Sequence, residues 1–292
     1  MINARVGVLI LVIILLCACS DDEPEANVDA GVHADIGAEA DAAEDIGGAH
    51  EEDVGPPIDE VDLTGVWSML TAASALTDTV VAGEEEATTF SLLRVEVEHQ
   101  GEEITLATEV CAVDIVAESD LAETIVPDAF VESLAPGVRD GSFADGVFEL
   151  PRHYEVRGVE FADGEDPQTE PLPTDAEDPR VFDQDGDGNP GLTIFVDAGL
   201  VSGEIYVVQR GWDELEATVT EDDRIAGELR WGDEQEILGA SDDTLLLAEP
   251  TSRPNPDGDA STFEMLRLAD GESDDCSTLI DRSVADFSVT FP

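Results

Sequence analysis

Thr88-Thr89-Phe90-Ser91-Leu92-Leu93-Arg94-Val95-Glu96-Val97-Glu98-His99, followed by Gln100-Gly101-Glu102-Glu103 and then Ile104-Thr105-Leu106-Ala107-Thr108-Glu109-Val110-Cys111-Ala112-Val113-Asp114-Ile115-Val116, decides the fold class. Both runs are rich in β-branched residues and alternate apolar with polar side chains, which is the period of a strand with one face buried. The Gln-Gly-Glu between them is turn chemistry, so the pair reads as a β-hairpin. Working outward, an opening strand is expected from Leu63-Thr64-Gly65-Val66-Trp67. Further strands are expected at 146–150, 154–161, 192–196, 203–210, 215–220, 225–231, 236–238, 244–247 and 263–268. A short helix is expected at 127–134, with Pro127 and Asp128 in its first turn, and another after Cys276. Residues 162–180 are rich in proline and acid and read as loop. Short strands at regular spacing predict a mostly β domain over 63–292: a single antiparallel barrel or sandwich with one or two short helices.

The chain has 292 residues, with 70 acidic and 12 basic, a formal charge of −58. Every basic residue is an arginine. Such a surface repels phosphate backbones and anionic headgroups, so nucleic acid is not an expected partner. Carboxylates at this density also repel one another, and high salt relieves that repulsion. The acidic, lysine-free composition resembles that of proteins from salt-adapted bacteria, with lineage bias as the plainer explanation.

At the N-terminus, Arg5 and the apolar run 6–16 lead into Leu16-Cys17-Ala18-Cys19. The run is short for a membrane span. A cysteine after a leucine and a small residue resembles the lipobox of bacterial lipoproteins, which implies cleavage before Cys19 and acylation there. Residues 1–18 are then the signal peptide, and the lipid bilayer is a partner through the acyl anchor. Ser20 after the cysteine favours the outer membrane by the sorting rule of enteric bacteria. An ordinary cleaved signal with a stray cysteine is the alternative. Residues 19–62 are acidic, with no aromatic residue, and cannot bury enough apolar surface to offset the entropy of ordering. They read as a disordered tether spanning roughly 35 Å, with His33 and His50 as solvated linker residues. Two thiols remain in the domain, Cys111 and Cys276. In an exported chain they are expected to pair, closing a loop of about 165 residues that is worth on the order of 5 kcal/mol in the chain-entropy model. Two buried free cysteines are the other possibility.

Asp183-Gln184-Asp185-Gly186-Asp187-Gly188-Asn189 sets three carboxylates at alternate positions with glycine, Gly188, at the sixth. A tight loop of this kind converges hard oxygens on Ca²⁺, and Asn189 could add its backbone carbonyl. It resembles the calcium loops of EF-hands, dockerins and integrin-type propellers. Ile194 stands where an EF-hand has its bidentate Glu, and Gly191 where the propeller loops carry Asp. A further ligand has to come from elsewhere, with Asp178 and Asp197 nearest in sequence; an Asp-Gly turn without metal is the bland alternative. Gly186-Asp187-Gly188-Asn189-Pro190-Gly191 also spells G-x-G-x-x-G, but flanking carboxylates and a following strand are wrong for a dinucleotide.

Gly65-Val66-Trp67 resembles the G-x-W of the first strand of lipocalins and related calycin barrels. The resemblance implies that Trp67 closes the barrel base under an arginine from a late strand, here Arg267; a core tryptophan without that role is the alternative. G-x-S-x-G, H-E-x-x-H and C-x-x-C are absent, and the domain's two histidines, His99 and His153, read as surface strand residues. The expected function is a lipid-anchored envelope protein with a non-catalytic ligand-binding or structural β domain carrying one calcium-type loop. Its partner would be a small hydrophobic ligand or another envelope component. The alternative is an extracellular hydrolase working through carboxylates on envelope or extracellular polymer.

Overall fold

The hairpin is present as β2 (Gly83–Gln100) and β3 (Glu103–Ala117), joined through Gly101, whose φ of 70° is a conformation glycine adopts without strain. Their ladder runs from Gln100↔Glu103 back to Ala87↔Ala117. The computed structural model describes residues 61–292 apart from 80–82, 119–122, 163, 198–201, 248–250 and 290. The signal, Cys19 and the tether with His33 and His50 lie outside the described residues, save 61 and 62 at the tether's end.

Around the hairpin stand β1 (Gly65–Thr79), β4 (Glu123–Ile125), α1 (Asp128–Glu132), β5 (Gly137–Ala144), β6 (Val147–Arg157), β7 (Leu192–Asp197), β8 (Ser202–Thr218), β9 (Arg224–Ala240), β10 (Thr251–Pro254), β11 (Thr262–Arg267) and α2 (Cys276–Asp286). Hydrogen bonds join β8, β6, β5, β3, β2, β1, β11 and β9 in that order, and β9 pairs back to β8. The ring is closed and antiparallel throughout, so the architecture is a barrel rather than a sandwich. β8 is long enough to carry β6 along its C-terminal half and β7 along its N-terminal half, with β4 paired outside β7.

Three pairs of expected short strands are single long ones. The expected 146–150 and 154–161 fall on β6, which stops at Arg157, 203–210 and 215–220 on β8, which stops at Thr218, and 225–231 and 236–238 on β9. The three breaks in hydrophobic alternation fall side by side in the ladder, at His153↔Asp213↔Trp231 and Glu155↔Gly211↔Asp233. The interruptions therefore mark one polar layer crossing three strands. The segment 244–247 is corrected: Leu245–Leu247 form a 3₁₀ turn, with the Thr244 N–H donating to Asp242. β4, β5 and β10 escape the pattern because they are short or, in β5, place Arg139 and Gly141 where an aliphatic is expected.

Inside the barrel pack Trp67, Phe148, Phe263 and Met265, with Phe130 of α1 fully buried against the same core. The outer face of β1 and β2 is also apolar, and Leu70, Ala72, Phe90 and Leu92 meet Leu279 of α2 there. Asp275 caps α2 by accepting the Thr278 N–H, and Arg94 reaches the neighbouring Asp274 at 2.6 and 2.8 Å. Cys111 is the extra residue of a β-bulge between the pairs Leu92↔Ala112 and Leu93↔Val110, and it forms a disulfide with Cys276, Cα–Cα 5.0 Å. The expected cross-link thus straps the C-terminal helix to the barrel wall.

Candidate functional site

The chain between β6 and β7 lies against the outer face of β8, where Val159 and Leu172 pack on Val208. Its last turn is the Asp183 loop. Gly191 closes it with φ of 80°, and a Cβ there would come 2.2 Å from the Val207 carbonyl oxygen, so no other residue fits. Asp183 accepts the N–H groups of Gly186, Asp187 and Gly188 at 2.8, 3.1 and 2.9 Å. Asp185 Oδ2 accepts the Thr193 N–H at 2.8 Å, and Gln184 accepts the Gly158 N–H at 2.7 Å, which ties the loop to β7 and to the end of β6.

One carboxylate oxygen each of Asp183, Asp185 and Asp187 lies within 4.8 Å of the others. Asp185 Oδ1 is buried without a hydrogen-bond partner. Burial raises the Asp185 pKa above the ordinary carboxylate value, opposed by the Thr193 N–H and reinforced by Asp187 and Asp183. For Asp187, burial is outweighed by hydrogen bonds from Thr193 and Asn189, and its pKa falls. Asn189 turns its side chain to Asp187, Nδ2 donating to Oδ2 at 3.0 Å. Of the nearby acids, Asp178 is bound by Arg180 at 2.8 and 3.0 Å, and Asp197 stands at the far end of β7.

Trp67 and Arg267 are brought together. They are register partners on β1 and β11, and the guanidinium carbon stands 4.4 Å from the indole centroid. Trp67 is fully buried and donates Nε1–H to the Leu63 carbonyl at 3.0 Å. Arg267 donates to the carbonyls of Asp62, Thr64 and Asp222, so it locks the chain entering β1 to the turn before β9.

The polar layer inside the barrel is the feature that motif reading misses. β6 bulges at Pro151-Arg152, where a proline without an N–H is tolerated, and β5 pairs with β6 only as far as Glu149. Arg139 of β5 fills this seam: it donates to the Pro151 carbonyl at 3.0 Å and to Asp213 at 2.5 Å. Both side chains are 4% exposed. Beside them Arg157 pairs with Glu155, and Gln209 donates to Gln235 at 2.7 Å. His153 belongs to this inner wall, and His99 lies edge-on to Phe143 while accepting the Leu63 N–H, so neither is the surface residue expected. The signal in the sequence was the three breaks in strand pattern, and only the register shows that they align. No protein-family model, no curated protein and no solved structure matches the chain.

Burial, followed by the charge of Glu234, lifts the Asp233 carboxyl to about 7. A carboxyl that holds its proton more tightly when folded stabilises the fold fully below its unfolded pKa, and that contribution is lost as pH rises through the folded value. Asp233→Asn is therefore expected to melt with wild type near pH 4 and above it near pH 8, by about 2–4 °C for each kcal/mol recovered. Thermal melts across that range check this; parallel curves would show that Asp233 titrates normally.

Proposed function

We propose that the protein is a lipid-anchored envelope component whose barrel is a non-catalytic binding or structural module stabilised by one calcium ion. The observation that carries the reading is the convergence of one carboxylate oxygen each of Asp183, Asp185 and Asp187, in a loop where Asp185 Oδ1 is buried without a hydrogen-bond partner. Three hard anionic oxygens on a tight loop suit Ca²⁺, which accepts irregular oxygen cages, better than Mg²⁺, which demands near-octahedral geometry. Asp183, Asp185 and Asp187 would hold the ion, and Asn189 could add its carbonyl. The lipobox at Cys19 supports the anchor, and the acidic stretch after it supports display on a tether. The hydrolase reading gains less support. It needs two free, opposed carboxylates, whereas Asp213 and Glu155 inside the barrel are each engaged by an arginine.

Calcium bound only to the native state adds RT ln(1 + [Ca²⁺]/Kd), about 2.7 kcal/mol at a hundredfold excess over Kd. Asp185→Ala should lower the melting temperature in calcium and change it far less in chelator; an equal loss in both conditions would make Asp185 a turn residue only. For the anchor, Cys19→Ala is expected to move the protein from the membrane fraction to the soluble one, and a variant that stays membrane-bound through its N-terminus would contradict acylation there.

A further inference from the structure

Three carboxylates are a sparse cage for Ca²⁺, which takes roughly six to eight oxygens. The acids nearest in sequence do not complete it: Asp178 is held by Arg180, and Asp197 stands at the far end of β7. β7 itself offers an oxygen. Leu192, Ile194 and Val196 belong to the barrel core, so alternation turns Thr193 to the outer face, where a threonine ordinarily meets water. It is only 5% exposed. What covers it is the Asp183 loop: the Thr193 N–H donates to Asp185 Oδ2 at 2.8 Å, and its hydroxyl meets the Asp187 carboxylate. A threonine hydroxyl stays within about 4 Å of its own backbone nitrogen in every rotamer, so the same hydrogen bond also brings Thr193 Oγ1 close to Asp185. Two oxygens in this corner are buried without an aligned hydrogen bond among the described residues, Thr193 Oγ1 and Asp185 Oδ1. They come from different elements, one from the strand and one from the loop, and a cation between them would satisfy both.

We propose that Thr193 is a ligand of the calcium ion, its hydroxyl oxygen joining one oxygen each from Asp183, Asp185 and Asp187. The assignment deepens the calcium reading and rests on it. A hydroxyl coordinates through a lone pair and keeps its proton, which the Asp187 carboxylate beside it can accept. Three carboxylates already exceed the charge of a divalent ion, so an uncharged fourth oxygen adds coordination without adding repulsion. With Thr193 in the cage, the ion joins the loop to a strand whose other face is core. It then pins the loop to the barrel wall, where an ion held by the aspartates alone would order only the turn that carries them.

The test is calorimetric titration of the full chain with CaCl₂ in about 0.5 M NaCl, which screens the diffuse attraction of the acidic surface. Wild type is expected to bind calcium saturably. Thr193→Val keeps the shape of the side chain and its preference for a strand while removing the oxygen. It should show the wild-type circular dichroism in chelator and bind calcium roughly tenfold more weakly. Thr193→Ser, which restores a hydroxyl, should recover most of that loss; a purely structural hydroxyl would shift the melting temperature in chelator and leave calcium affinity unchanged. Wild-type affinity in Thr193→Val, or equal weakening in the Val and Ser variants, overturns the assignment and leaves the three aspartates as the site. No saturable binding by wild type removes the calcium reading and the assignment together.

Discussion

Like-charge repulsion is the constraint under which every other contact in this barrel operates. Seventy carboxylates share one chain with twelve arginines, and lysine is absent. An unscreened surface of this kind pushes its own strands apart, so the few cations matter by position. Among the described residues every arginine except Arg267 has a carboxylate partner, and several of these pairs join elements that no ladder joins. Arg94 ties β2 to the start of α2, and Arg253 of β10 reaches Glu84 at the start of β2. Arg139 bridges the seam where β5 and β6 separate. Exposed pairs contribute little singly, roughly 0–1 kcal/mol. The buried Arg139–Asp213 pair differs: losing either partner strands a charge in the interior, at about 3–5 kcal/mol.

That pair belongs to a layer that makes the barrel's interior unlike a simple oil drop. Apolar packing around Trp67, Phe148 and Phe263 shares the interior with Arg139, Glu155, Arg157, Asp213, Gln209 and Gln235. A polar layer of fixed geometry fixes register, because a one-residue slip of β6 or β8 would turn the inner charges outward and their neighbours inward. The disulfide and Arg267 act on the barrel's outside and base in the same sense, holding a terminal helix and an entering strand against the wall.

Much of this was legible in the sequence where one physical signal dominated. The β2–β3 hairpin followed from alternation around Gly101, and the pairing of Cys111 with Cys276 from their being the domain's only thiols. Trp67 and Arg267 meet as the G-x-W start suggested, and the three aspartates of the Asp183 loop converge as their spacing suggested. The long strands β6, β8 and β9 were cut in two because alternation fails wherever the inner face becomes charged, and a charged residue in a strand reads as exposed. Nothing local distinguishes Asp213, fully enclosed, from the many solvated acids around it; only the cross-strand register places it opposite an arginine. β5 was invisible for a related reason, since its inner face carries Arg139 and Gly141 in place of aliphatics.

Melting temperature measured against NaCl concentration, with calcium held constant, tests most directly whether self-repulsion governs this fold. Salt shortens the Debye length from about 30 Å in dilute buffer to about 3 Å near molar strength, which removes most of the repulsion between exposed carboxylates and little of the attraction in the buried Arg139–Asp213 pair. The melting temperature is predicted to climb steeply through the low-salt range and level off once screening is complete. A value that stays flat from dilute buffer to molar NaCl would contradict the claim that like charge limits the stability of this barrel.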